Sequence, residues 1–248
     1  MPLADASLVY SPELARIHHL YFGDIGAAAA RELMARLGAP GGKVVELGVG
    51  SGVSTKLLVE AGFEVEGVDT SPAMLDLAAA HAPGARYHRG SLWSFPLTQT
   101  RAVTAFGEVL NYVAGDEVPD LERLSRRLVE VRASLEPEGL FLFDLTTLAP
   151  LEEEEEGVRG VRFEAEDSFL VMEETQRDGE LERVIDSFVL VDGSNLYRRI
   201  HEVHRLVLFD PDEVATCLRQ AGFRRIDRLD AYDDHPLQEG WTAFACRP

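Results

Sequence analysis

Glu46-Leu47-Gly48-Val49-Gly50-Ser51-Gly52 follows the apolar pair Val44-Val45, and Val65-Glu66-Gly67-Val68-Asp69 comes one helix later. The pattern reads as strand, glycine turn, helix, and a second strand ending on a carboxylate. Glycine reaches positive φ and lets the backbone approach a ligand, because no Cβ stands in the way. Asp69 is expected at the tip of the neighbouring parallel strand, within reach of a ribose hydroxyl pair. Together these residues predict a nucleoside-type cofactor site.

The glycine spacing separates two chemistries. A dinucleotide fingerprint reads G-x-G-x-x-G, with the pyrophosphate on the helix N-terminus. Here Gly52 comes one residue early, and Val53 fills the slot that fingerprint gives to a small residue. Glu46, just ahead of the turn, repels a pyrophosphate and attracts an ammonium group. A cofactor with a cationic amino-acid tail fits the arrangement better than a dinucleotide does.

Three further segments follow in order. They are Val68-Asp69-Thr70-Ser71-Pro72-Ala73-Met74-Leu75, Phe106-Gly107-Glu108-Val109-Leu110-Asn111-Tyr112, and Ser134 to Asp144 with its Pro137 and Gly139. With the first motif they resemble the class I S-adenosylmethionine-dependent methyltransferases, over about 1–150 and 210–248. The resemblance implies an α/β fold: a doubly wound, mostly parallel seven-stranded Rossmann-like sheet. It also implies S-adenosyl-L-methionine as cofactor. In the family's pattern Glu46, Gly48, Gly50 and Gly52 hold the methionine part. Asp69 grips the ribose, with Thr70 beside it, and Met74 packs on the adenine edge. Gly90, Ser91 and Leu92 follow strand three on the adenine side, and Phe106 and Gly107 stand at the tip of strand four. The family usually has Gly-Asp where this chain has Gly90-Ser91, and a neutral acceptor binds more weakly than a charged one. Thr100-Arg101 also departs from the Phe-Asp pair frequent before strand four.

Elements must position these groups. Residues 1–42 are expected to form two N-terminal helices, a candidate lid. Ser11-Pro12-Glu13 caps the first, whose apolar stripe carries Leu14, Ile17 and Tyr21 with His18 on the same face. The second covers roughly 26–37. Residues 43–150 form the cofactor-binding core, with strands at Lys43–Leu47, Phe63–Val68, Ala85–Arg89, Ala102–Phe106 and Leu140–Asp144. A long helix within 116–135 places Leu121, Leu124, Leu128, Val131 and Leu135 at helical spacing. Residues 151–209 break the pattern: five carboxylates, Glu152 to Glu156, read as a solvated linker. Val161 to Phe209 then reads as three or four antiparallel strands, an acceptor lobe inserted after strand five. Residues 210–248 complete the core sheet, with a helix capped by Asp210-Pro211 and a last strand, Trp241 to Cys246, running antiparallel.

Candidate acceptor residues are Glu108, Asn111 and Tyr112, just past strand four. Glu108 either orients a substrate amine or stays solvated, and Tyr112 reads as a pocket wall. In the lobe, alternation puts Ile200, Glu202, His204, Leu206 and Leu208 on one face. Glu202 and His204 there are either a proton-accepting catalytic pair or a satisfied polar pair inside the sheet. His18 reads as packed, and Tyr10 or Tyr21 as a cover over the sulfonium, Tyr21 being the candidate catalytic residue of the two.

Composition narrows the partners. Lys and Arg number 24 against 43 Asp and Glu, a net charge of −19, which disfavours nucleic-acid substrates. Cys217 and Cys246 show no metal-ligand spacing, and no metal site is expected. Neither a basic-then-apolar leader nor an apolar run of the ~18 residues a membrane helix needs is visible. A soluble, cytoplasmic protein without membrane contact is predicted, and a homodimer is allowed. The expected reaction is methyl transfer by in-line displacement to a nitrogen or oxygen of a small molecule. The alternatives are a non-catalytic S-adenosylmethionine-binding protein of the same fold and, disfavoured by the glycine spacing and Glu46, a NAD-dependent enzyme.

Overall fold

A computed structural model describes residues 10–147 and 158–248. The glutamate run Glu152–Glu156 lies outside the described residues. Helix α1 (Pro12–Tyr21) starts where expected, with Ser11 Oγ accepting the Leu14 N–H at 3.3 Å. Helix α2 (Asp24–Leu37) begins two residues earlier than its spacing suggested. Then come β1 (Lys43–Leu47), α3 (Val53–Glu60), β2 (Glu64–Asp69), α4 (Pro72–His81), β3 (Arg86–Arg89) and β4 (Thr100–Ala105). Ser71 caps α4 as Ser11 caps α1, and Asp120 accepts the Arg123 N–H to open α5 (Leu121–Ser134). Strand β5 (Leu135–Thr146) is longer than its apolar run predicts, since Asp144 and Thr146 are buried within it.

The chain next forms β6 (Val158–Glu164), β7 (Ser168–Arg177), β8 (Glu180–Leu190) and β9 (Tyr197–Val207), one four-stranded antiparallel sheet. Helix α6 (Pro211–Gln220) and β10 (Arg225–Leu229) follow. A short hairpin not expected from the sequence comes next, β11 (Ala231–Tyr232) with β12 (His235–Pro236), and β13 (Trp241–Arg247) closes the chain.

The main sheet has the order β10-β13-β5-β4-β1-β2-β3. All neighbouring pairs are parallel except those of β13, which is antiparallel to both β5 and β10. Because β4 and β2 lie on opposite sides of β1, the strand order reverses there, and the crevice beyond the strands' C-terminal ends is the expected ligand site. Helices cover both faces. Leu124, Leu128 and Val131 of α5 pack with Phe141, Phe143 and Phe244 on one, and Ala28, Ala29, Ala30 and Leu33 of α2 pack on the other.

The lobe faces the core through the side that alternation identified: His204 and Leu206 are buried while Val203 and Arg205 are exposed. Leu170 and Ile185 of the lobe pack against Leu14 and Ile17, so α1 is bound on its apolar stripe by the inserted sheet. Tyr21 departs from the predicted stripe and is 43% exposed. Among the described residues, no helix is long and apolar enough to cross a membrane, and no group of three or more His, Cys, Asp or Glu could hold a metal ion.

Candidate functional site

The glycine turn after β1 has positive φ at Gly48, Gly50 and Gly52 (74°, 54° and 78°). A Cβ on Gly48 would fall 2.6 Å from the Val109 side chain, whereas one on Gly50 meets nothing within 4 Å. Gly50 therefore opens onto free space. Asp69, at the tip of β2, points back across that space. Its Oδ2 accepts the Gly50 N–H at 2.9 Å and its Oδ1 the Ser71 N–H at 2.9 Å. The two strand tips are thus tied together, and the Thr70 backbone adds a further hydrogen bond to the same carboxylate. Burial raises the Asp69 pKa above the usual carboxylate value.

A cavity of about 130 Å³ opens at these tips. Gly48, Gly50, Asp69, Thr70 and Met74 wall one side, and Gly90, Ser91, Leu92, Phe106 and Gly107 wall the other. Trp93, not among the expected site residues, joins this wall with Val68 and Val109. The signal for Trp93 was its place directly after Gly90-Ser91-Leu92. Ser91 Oγ accepts the Trp93 N–H at 3.1 Å, which leaves its second lone pair and its O–H for a ligand.

Two expected cofactor residues stand elsewhere. Gly52 lies behind the turn, where its missing Cβ lets Ala78 of α4 approach: a Cβ would sit 3.0 Å from the Ala78 Cα. Glu46 lines a second, larger cavity of about 370 Å³ rather than the first. Its carboxylate is fully buried and accepts the hydroxyls of Ser54 and Thr55, at 2.6 and 2.5 Å. Burial raises its pKa against the pull of those two donors.

The larger cavity lies between the core, the N-terminal helices and the lobe, which contributes Leu170, Met172, Glu174, Arg183 and Ile185. Glu108 reaches it from the β4 tip in a left-handed conformation, φ 54°. The backbone there is held by Asp144, whose carboxylate accepts the N–H groups of Gly107 and Glu108 and the Tyr232 hydroxyl. Burial pushes Asp144 up to about 7 in spite of those three donors.

Glu108 is neither solvated nor free to grip an amine. Its Oε2 accepts from the Thr146 hydroxyl, and its Oε1 pairs with Arg183 Nη1 at 2.5 Å. Arg183 also bonds Glu174 at 2.7 Å and the Tyr112 hydroxyl at 3.3 Å. Asn111 leaves the acceptor set altogether: its amide donates to the Thr146 and Val207 carbonyls and accepts the Thr146 N–H, all within the protein. Tyr112 is a wall of the smaller cavity, its hydroxyl 3.5 Å from that of Tyr10.

Glu202 and His204 do not line either cavity. Glu202 accepts the backbone N–H groups of Tyr10 and Ser11, each at 3.0 Å, and meets His204 Nε2 at 3.2 Å. The pair therefore clamps the start of α1 to the lobe, the structural reading of the two left open. Tyr21 packs at a tilt against Phe163, with ring centroids 3.8 Å apart, and lines neither cavity. Tyr10, at φ 68°, covers the site instead and walls both cavities.

Comparison with known proteins agrees with this layout. Residues 44–139 match the methyltransferase domain family. An uncharacterized methyltransferase of Oceanobacillus iheyensis is 33% identical over 101 residues, 41% of this chain and 45% of that protein. A putative methyltransferase of a Geobacillus species is 24% identical over 82% of each chain. The structure of the sugar N-methyltransferase KedS8 from a Streptoalloteichus species superposes with a TM-score of 0.77, at 19% identity over 100% of this chain and 96% of that one. Residues 44–139, less than half of the chain, thus match the methyltransferase domain family, and the chain has the fold of solved S-adenosylmethionine-dependent methyltransferase structures.

Proposed function

We propose that the protein transfers a methyl group from S-adenosyl-L-methionine to a nitrogen or oxygen of a small molecule held under the inserted lobe. The observation that carries this reading is the pair of contiguous cavities at the β1, β2 and β4 tips, one beside the glycine turn and one beneath the lobe. The residues present fit the cofactor. The open space at Gly50 admits a ligand against bare backbone, and Asp69 presents oxygens for ribose hydroxyls. Met74, Leu92 and Trp93 offer an apolar slot for adenine.

When bound, the cofactor supplies an already activated methyl group, so the protein needs no metal and no covalent intermediate of its own. What the chain contributes is alignment and exclusion of water. Tyr10 covers the junction, and the Glu202 clamp fixes Tyr10. Similarity to KedS8 favours an amino-bearing acceptor, and the size of the lobe cavity suits a compact metabolite rather than a macromolecule.

Calorimetry with S-adenosylmethionine, S-adenosylhomocysteine and NAD, followed by radiolabelled methyl transfer to a panel of amino sugars, phenols and carboxylic acids, tests the proposal. Binding of both adenosyl ligands and labelled product from at least one acceptor is expected. Binding of NAD alone overturns the cofactor assignment. Tight S-adenosylmethionine binding without any product across the panel returns the non-catalytic binding protein.

A further inference from the structure

Six residues wall both cavities: Tyr10, His18, Gly48, Gly50, Phe106 and Gly107. A group on the cofactor meets a group on the acceptor where the two spaces share this wall. Only Tyr10 and His18 of the six carry polar side-chain atoms. The Tyr10 hydroxyl lies 3.5 Å from that of Tyr112, and burial drives its pKa up to about 12, so it keeps its proton.

His18 differs. Its Nδ1 is buried and has no hydrogen-bond partner. The ring is held by packing alone, T-shaped against Tyr10 at 5.2 Å and tilted against Phe22 at 6.0 Å. Native structures seldom leave a buried nitrogen unpartnered unless a ligand or water completes it. Burial, with His19, His204 and Arg183 adding to it, lowers the His18 pKa to about 4. The imidazole is therefore neutral near pH 7, and one of its nitrogens is a bare acceptor. A neutral ring also avoids repelling a cationic cofactor.

Resting on the methyl-transfer reading above, we infer that His18 Nδ1 accepts a hydrogen bond from the N–H or O–H of the methyl acceptor and orients its lone pair across the shared wall. Fixing that hydrogen fixes the direction of the lone pair, and orientation of this kind is a large part of what an enzyme adds to a displacement. His18 is then a catalytic residue, whereas Glu202 and His204 serve only to hold α1 in place.

The test needs no acceptor. Sinefungin carries an amine where S-adenosylmethionine carries its sulfonium methyl, and S-adenosylhomocysteine carries neither. Their dissociation constants are measured by calorimetry for wild type, His18→Phe and His18→Gln. In His18→Phe the preference for sinefungin over S-adenosylhomocysteine should fall by about tenfold, as for loss of one charge-assisted hydrogen bond. His18→Gln, whose Oε1 accepts, should recover part of it. A preference unchanged in His18→Phe overturns the assignment.

Should His18→Phe fail to fold, wild-type protein labelled with ¹⁵N-histidine decides the same question. The His18 Nδ1 resonance should move on adding sinefungin and stay in place with S-adenosylhomocysteine. An Nδ1 resonance indifferent to sinefungin overturns the inference. Wild-type protein that binds neither ligand overturns the cofactor reading itself, a distinct failure.

Discussion

Asp69 does two jobs with one carboxylate. It fixes the glycine turn through the Gly50 N–H and the start of α4 through the Ser71 N–H, and it lines the cavity. Hydrogen bonds to a charged group contribute roughly 1.5–3 kcal/mol. Asp69→Ala should weaken S-adenosylmethionine binding by about that amount in a calorimetric titration, while the melting temperature reports any loosening of the turn. An unchanged affinity would remove Asp69 from the ribose site. Glu108 teaches the opposite lesson at this scale. Its position past strand four marked it as functional, yet a carboxylate with one oxygen on Arg183 and the other on Thr146 is a structural tie. Sequence position places a charge near the site but does not say which other charge lies opposite, and Arg183 is 75 residues away in the chain.

At the scale of the element, α1 is held to the lobe by both packing and polar ties. Leu14 and Ile17 bind the lobe by packing, Glu13 and Arg16 pair with Arg198 and Asp167, and Glu202 holds the backbone N–H groups of Tyr10 and Ser11 just ahead of the helix. Glu202→Ala should leave those groups and His204 Nε2 without an acceptor, at a cost of about 1–3 kcal/mol. The loss should be local. Hydrogen exchange at residues 10–21 should quicken, while the amides of β1, β4 and β5 keep their protection; uniform loss across the sheet would count against a clamp. Such elements were legible to different degrees. Capped helices could be read because Ser11, Ser71, Asp120 and Asp210 act within three residues of themselves. The inward face of β9 could be read because alternation is local too. The partner of Glu202 could not: a carboxylate in a strand takes whichever donor folding delivers, and here that was a helix start some 190 positions earlier.

At the scale of the whole molecule, the inserted sheet is tied to the core by backbone hydrogen bonds of Asn111 and Val113 with β9 and by a buried cation. Arg183 pairs with Glu108 of the core and Glu174 of the lobe; burial pulls its pKa down, but these carboxylates hold it well above the usual value. Removing one partner of a buried pair leaves the other charge uncompensated, typically 3–5 kcal/mol, whereas replacing both by apolar groups is often close to neutral. Arg183→Met should therefore cost about 3–5 kcal/mol in urea denaturation, and Arg183→Met with Glu108→Leu should cost less than Arg183→Met alone. If the double variant is the weaker, the tie is not a simple ion pair. The fold class could be read from four spaced motifs, whereas the contact between lobe and core could not, since it joins distant segments, Arg183 to Glu108 and the Asn111–Val113 backbone to β9, with no local pattern.

The partition shared by the two chambers has a consequence for how such a protein diversifies. Tyr10, His18 and the bends at Gly48 and Gly107 border both, so altering any of them reshapes the nucleoside's berth along with the guest's. Leu170, Met172 and Ile185 border only the larger chamber. Swapping side chains along those inserted strands re-tailors the guest's room and leaves the donor's berth as it was.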